Sequence, residues 1–551
     1  MKGKINLTQK ENAYSEWFQK IKEISDSSAK TTESQKETPD SGEKQKVEKS
    51  KLDYFFIITI LLLALIPRLY FLFFVSGTQN AGVGWYGDTY HHWQIAYFTK
   101  EIGFSHGFLR LWDLKGMEYF WGLAHPLTLS VLMMLTGIND IVLTRLLSLV
   151  TGSLSVLFLY LLGKKYWNRQ AGVAAAVLGA LNPVSIFNDA SGMVEPFGML
   201  FLFMALYLWP KKAFLVGVLL VIASMARAEF WLFSLGIIFS ILVFTKEHID
   251  KKVFSLISYT ILILVYMKYL LNQTGNAFYP IWWNFLGNAA GEWQADIPLT
   301  PTQVAVQPIW IGMFIISLIG ILYILWKRPP SILVHLLGLG SFLFLGFFVG
   351  LTEYIKSYVH YFWVVRIFSL PYLYLALLIA IIFFSFIPKF IPIFGKLRIG
   401  WAFVIGIVIA TQLSWLVIFS YFEPTKANWD KEVKLAKEIK QIYKGGTVLI
   451  HEGDPVMTYA LIKYTGLKGK NIEGQMYDPF QYKPFTDRPE LFSKWNKDRK
   501  LILNWLKKDN IKLLIFHSQR ERYLELVKRE PGIFKFVKDG EFGLKIYEVK
   551  L

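Results

Sequence analysis

The side chains of this sequence whose types can move a proton or hold an ion beside hydrocarbon are Asp88, His91, His92, Asp189, Glu195, Glu229, Glu353 and His360. An ionisable group at membrane depth is costly unless it faces a cavity or a partner, so each is a site candidate by default. Asp88 lies in Gly84-Trp85-Tyr86-Gly87-Asp88-Thr89-Tyr90-His91-His92, a Gly-flanked aromatic loop from which a carboxylate can point into a cleft and take a proton. Its plain alternative is a solvated loop acid. His91 and His92 follow about one helical turn later and suit phosphate binding, metal binding or simple packing. Asp189 and Glu195 flank one turn, Glu195 preceding Pro196 at a helix start, where turn and cap chemistry explains both nearly as well as function. Arg227 and Glu229 are spaced either to pair with each other or to leave Arg227 for a phosphate. Arg366 lies about two turns beyond His360 inside an apolar run, where a lone guanidinium needs an anion: a phosphate, or an acid such as Glu195. No Walker loop, HExxH or GxSxG pattern is present, so a nucleotide loop is not the source of phosphate binding.

The elements that must position these groups follow from composition. Of 551 residues 54% are hydrophobic and only 18% charged, against roughly 25% in a soluble domain, which excludes a soluble enzyme, a disordered scaffold and a fibrous protein. Apolar runs long enough to cross a hydrocarbon core of roughly 30 Å recur, so the chain reads as a polytopic α-helical membrane protein. The net charge of +18 comes from Lys and Arg in short loops and the polar ends, which assigns it to topology and membrane-lipid contact rather than to nucleic acid. There is no cysteine, hence no disulfide or thiolate site.

Residues 1–52 read as a disordered cytoplasmic tail without the apolar region of a signal peptide. Residues 53–422 form the membrane domain, with a first outer loop at 76–141, and basic loops kept inside give about eleven spans: 52–75, 142–163, 171–187, 196–209, 213–226, 230–245, 253–271, 308–326, 332–351, 361–387 and 399–421. The piece 126–135 is too short to cross and reads as an interfacial helix. Gly346 and Gly350 form a GxxxG step for close helix contact. Residues 423–551 turn polar and read as a soluble extracytoplasmic α/β domain, with helices at 430–443, 455–464, 489–508 and 519–529, strands at 447–451 and 512–516, and two strand-like runs ending at Val549. This topology, fixed by basic residues alone, sends every acid and histidine named above to the outer face of the cell membrane.

The order of features resembles the GT-C superfamily. An Asp in the first outer loop is followed by His125-Pro126-Leu127, Arg145-Leu146-Leu147, Leu162-Gly163-Lys164-Lys165, Leu181-Asn182-Pro183 and Met193-Val194-Glu195-Pro196. Within that superfamily the chain is similar to the protein mannosyltransferase and lipid A aminoarabinose transferase branch, well over about residues 54–240 and more loosely over 366–374. The resemblance implies inverting transfer of a sugar from a polyprenyl-phosphate donor to a lipid, glycan or protein acceptor at the outer face. It makes Asp88 the catalytic base or acceptor-orienting acid and Glu195 the acid of the second outer loop. Arg366, Arg227, His91 and His92 are then candidates for the donor phosphate, with Asp189, Glu229, Glu353 and His360 further outer-face groups. Thr89 departs from the pattern, since many members carry a second acid there, and this weakens any paired-carboxylate or divalent-metal scheme. Two rivals are an oligosaccharyltransferase catalytic subunit, for which only Asn428-Trp429-Asp430 stands where a Trp-Trp-Asp element is expected, and a lipid or solute transporter, whose charges would be spread through midplane helices rather than gathered at one face.

Overall fold

The apolar runs fold as helices because hydrocarbon leaves backbone amides no partner but their own carbonyls. The computed structural model describes residues 39–77, 86–103, 119, 121–282, 372–396, 398–422, 429–453, 455–475 and 499–551. The predicted spans 308–326 and 332–351, the start of 361–387 and the GxxxG pair lie outside the described residues. So do Glu353, His360 and Arg366.

The chain divides into units 1–59 and 60–551. Helix α1, Pro39–Tyr70, begins well before its apolar part, so residues 39–52 are helical where composition predicts disorder. The reason is local: Glu43-Lys44-Gln45-Lys46-Val47-Glu48-Lys49 are mostly strong helix formers, and continuing a nucleated helix is far less costly than starting one.

The second unit contains α2 (Tyr86–Phe98), α3 (Ala124–Thr136), α4 (Ile141–Tyr166), α5 (Arg169–Ala180), α6 (Pro183–Ser191), α7 (Glu195–Leu208), α8 (Ala213–Ser224), α9 (Glu229–Phe244), α10 (Ile249–Thr274), α11 (Tyr372–Phe390) and α12 (Ile399–Phe422). Among the described residues five helices are long and apolar enough to cross a membrane, and α5 with α6 adds a sixth span bent by 62°. The predicted straight span 171–187 is therefore broken. At the break Asn182 accepts a hydrogen bond from Ser185 N at 2.8 Å and Pro183 occupies the first turn, which ends one helix and caps the next. Helix α3 holds the predicted interfacial piece. Helix α4 packs against α5 and α7, and α8 against α10. Gly163 of α4 meets Gly172 of α5 so closely that a Cβ on Gly163 would lie 2.5 Å from the Gly172 Cα, a backbone approach only small residues permit. Phe254, Ile261, Leu264 and Val265 of α10 and Ile405, Ile409 and Leu413 of α12 stay exposed, an apolar surface suited to lipid.

Residues 429–551 build a sheet domain from α13 (Trp429–Ile442), β1 (Thr447–Gly453), α14 (Pro455–Thr465), β2 (Ile472–Gln475), α15 (Arg499–Lys508), β3 (Ile511–His517), α16 (Glu521–Arg529), β4 (Phe534–Asp539) and β5 (Leu544–Val549). The strand order is β2-β1-β3-β5-β4, parallel across β2-β1-β3 and antiparallel across β3-β5-β4. Successive side chains point to opposite faces. Val448 and Ile450 accordingly pack with Leu435 and Met457 on one side, and Leu449 with Leu506 and Tyr523 on the other. The strand β2 has no counterpart in the sequence reading.

Candidate active site

Asp88 lies in the first turn of α2, not in a loop as its glycines suggest. The rest of the helix explains the difference, because Tyr90, Trp93 and Tyr97 recur at helical spacing and bury their rings, and that packing outweighs the flanking glycines. The next residue, Thr89, is fully buried, and its hydroxyl donates to the Ser191 carbonyl at 2.6 Å. Ser191 ends α6 one residue before Gly192, whose φ is +90°; a Cβ on Gly192 would lie 2.7 Å from the Thr89 methyl carbon. Glycine there allows both the left-handed backbone and the close approach of α2.

That turn leads to Glu195, the first residue of α7. Glu195 Oε1 accepts from Arg227 Nη1 at 2.9 Å, and the same guanidinium clasps Glu229 through Nε at 2.8 Å and Nη2 at 2.7 Å. All three side chains are almost wholly buried. Burial works against charge on Arg227, yet Glu229, Glu195 and Asp88 together outweigh it and raise its pKa above the ordinary value. Arg227 therefore serves two carboxylates, Glu229 as one of its two readings expects and Glu195 besides.

Asp189 is also paired, its Oδ2 accepting from Arg68 Nε at 2.7 Å, while Arg68 Nη1 donates to the Ala64 and Ala180 carbonyls. Gly152 of α4 gives this carboxylate its space: a Cβ there would fall 2.1 Å from Oδ2. Above Gly152 on α4, Ser148 donates to Met193 O at 2.6 Å, and Arg145 donates to Ala190 O at 2.8 Å as well as to Gly77 O and Ser76 Oγ. One face of α4 thus fixes the whole turn between α6 and α7. A cavity of about 20 Å³ lies there, lined by Ser185, Asn188, Asp189 and Glu195 among others.

His91 and His92 turn toward Trp121, with ring centroids 5.5 and 4.9 Å away, and His92 lies 5.4 Å from His125. His125 is fully buried against Phe197, and neither ring nitrogen has a hydrogen-bond partner among the described residues. Burial pulls its pKa down to about 4, a shift Glu195 only partly opposes, so the ring is neutral near pH 7. Among the described residues no three His, Cys, Asp or Glu side chains converge on a metal position. Thr89, where the resemblance expects a second acid, is committed to Ser191. The site thus unites Asp88, His91, His92, Asp189, Glu195, Arg227 and Glu229 at one end of the bundle. It adds Arg68, Arg145, Thr89 and His125, which the sequence reading gave no role. Arg68 and Arg145 carry the signal that singled out Arg366, a guanidinium inside an apolar run.

No family model and no curated protein matches the chain. Among solved structures, ArnT from Cupriavidus metallidurans bound to undecaprenyl phosphate superposes with a TM-score of 0.51 at 12% identity, covering 90% of this chain and 98% of that one. Its apo state gives 0.51 at 11% with the same coverage. The archaeal oligosaccharyltransferase AglB from Archaeoglobus fulgidus, in complex with an inhibitory peptide and a dolichol-phosphate, gives 0.49 at 11%, covering 90% and 74%. The alignment with ArnT over 90% of this chain, together with the apolar helices and the C-terminal sheet domain, shows that this chain has the fold of that membrane protein.

Proposed function

We propose that the chain is an integral-membrane glycosyltransferase that moves a sugar from a polyprenyl-phosphate donor to a lipid, glycan or protein acceptor at the outer membrane face, with inversion. The observation that carries the reading is the hydrogen bond from Thr89 to Ser191, which sets the Asp88 helix against the turn that bears Glu195. The ArnT fold supports it, and so does the undecaprenyl phosphate bound in that relative.

In this reading the carboxylate of Asp88 takes the proton of the acceptor hydroxyl as that oxygen bonds to the anomeric carbon. The bond from that carbon to the phosphate oxygen breaks on the opposite face, and its electron pair leaves with the phosphate. Glu195 acts through Arg227, which it shares with Glu229, so the trio keeps a fixed charge pattern beside Asp88. His91, His92 and Arg366 are the proposed phosphate contacts, and donor affinity should fall in the order Arg, Lys, Gln at position 366. Glu353 and His360 are assigned to the same outer face. The N-terminus is then cytoplasmic and the sheet domain extracytoplasmic.

The test is lipid and glycan profiling of a strain lacking the chain. A glycosyltransferase leaves one unglycosylated acceptor and a surplus of one polyprenyl-phosphate sugar. A transporter would instead leave a complete product on the wrong side of the membrane, and that outcome overturns the proposal.

A further inference from the structure

The sheet domain is joined to the Asp88 helix by a shared core. Tyr459 of α14 is buried, with its ring edge-on to Trp93 at 4.8 Å and to Tyr90 at 5.5 Å between centroids. Its hydroxyl accepts from Ile141 N at 3.4 Å and from Lys463 Nζ at 3.2 Å. Lys463 also donates to Asp140 Oδ2 at 2.7 Å, while Asp140 Oδ1 accepts from Val142 N at 3.0 Å and so caps α4. The same turn accepts the Trp93 indole N–H at Asn139 O, 2.8 Å away. Gly469 provides a second close approach, since a Cβ there would lie 2.9 Å from Tyr97 Cε1.

Apart from Phe98 at the end of the helix, whose ring also meets Gly469, these contacts fall on one side of α2. At about 100° per residue, Tyr90, Trp93 and Tyr97 share a face, and Asp88, His91 and His92 share the opposite one. The domain grips the back of the helix whose front carries the candidate base. With 13 residues α2 is at the length where an isolated helix is marginal, so its orientation depends on such contacts.

We infer that Tyr459 and Lys463 are positioning residues: through Tyr90, Trp93 and Asp140 the C-terminal domain sets the orientation of α2, and with it the carboxylate of Asp88. The inference rests on the proposed role of Asp88. It gives the domain a part in catalysis separate from any recognition of acceptor.

The test compares Tyr459→Phe, Tyr459→Ala and Lys463→Met with Asp88→Asn in the full-length protein in lipid, following transfer kinetics, undecaprenyl phosphate binding and amide exchange over 86–98. Tyr459→Ala should lower kcat roughly ten-fold or more, weaken undecaprenyl phosphate binding as well because His91 and His92 share the Asp88 face, and speed exchange in α2 and in the first turn of α4 but not in the rest of α4. Tyr459→Phe, which keeps the ring, should retain most of kcat. If Tyr459→Ala does not fold, Lys463→Met carries the test with a smaller fall in kcat and the same exchange pattern. Unchanged kcat and unchanged α2 exchange in folded Lys463→Met and Tyr459→Ala overturn the inference. Asp88→Asn separates the two readings: if it stays active the role of Asp88 fails, and if it is inactive while the Tyr459 variants match wild type only the positioning role fails.

Discussion

Thr89 Oγ1 donates to the carbonyl oxygen of Ser191 at 2.6 Å, so the residue beside the candidate base is tied to the turn four residues before the second candidate acid. The two are more than a hundred positions apart in sequence, and the bond is fully buried. It gives position 89 a task that a carboxylate could not perform, because a carbonyl needs a donor.

Thr89→Val keeps the shape and removes the O–H, leaving the Ser191 carbonyl without this donor at a cost of about 1–3 kcal/mol. The expected outcome is a lower melting temperature and a roughly ten-fold fall in transfer, with Thr89→Ser close to wild type. Equal activity of the Val and Ser variants would show that the bond does not position Asp88.

The Arg227 cluster predicts a large stability effect. Arg227→Gln leaves Glu195 and Glu229 buried without their cation, which costs on the order of 3–5 kcal/mol. Yield and melting temperature in detergent should drop sharply. A variant as stable as wild type that has lost only undecaprenyl phosphate affinity would instead make Arg227 a phosphate ligand.

Much of the architecture was legible from hydrophobic run length and basic loops, because bilayer thickness fixes how long an apolar helix must be. The short helices α7 to α9 were found within a few residues of their ends. What local pattern could not supply were the partnerships: Glu195 with Arg227, Arg68 with Asp189, and Tyr459 with Trp93 join residues far apart in the chain. Asp88 reads as a loop residue from its flanking glycines but is helical, because the aromatic residues that make it so bury themselves against an element more than 300 residues later. The bend at Asn182-Pro183 was hidden inside a run whose hydropathy is continuous, although its cap and proline are written in the sequence.

The contact between Asp140 and Lys463 predicts a pH effect. Burial alone would raise the Asp140 carboxyl, but the Lys463 ammonium and the Val142 amide outweigh it, so its pKa is depressed in the folded protein. A depressed carboxyl stabilises the folded state above its unfolded pKa of about 3.9 and loses that contribution as pH falls toward the folded value. Exchange protection at the join of α14 and α4 should therefore weaken below about pH 4 in wild type, and Asp140→Asn should flatten that dependence. An identical acid profile for both proteins would remove Asp140 as its source.

Basic loops predict orientation as well. A reporter inserted after Lys246 should be active only on the cytoplasmic side, and one fused after the sheet domain only on the outer side. Both reporters active on the same side would put the span count wrong by one.

The most direct measurement is sugar transfer by Asp88→Asn, purified alongside wild type and matched for folded protein and undecaprenyl phosphate binding. The amide keeps the shape and hydrogen-bonding reach of the side chain but removes its basicity, so transfer should fall by roughly 100-fold or more while binding is retained. Transfer within a few-fold of wild type would contradict the assignment of Asp88 as the base.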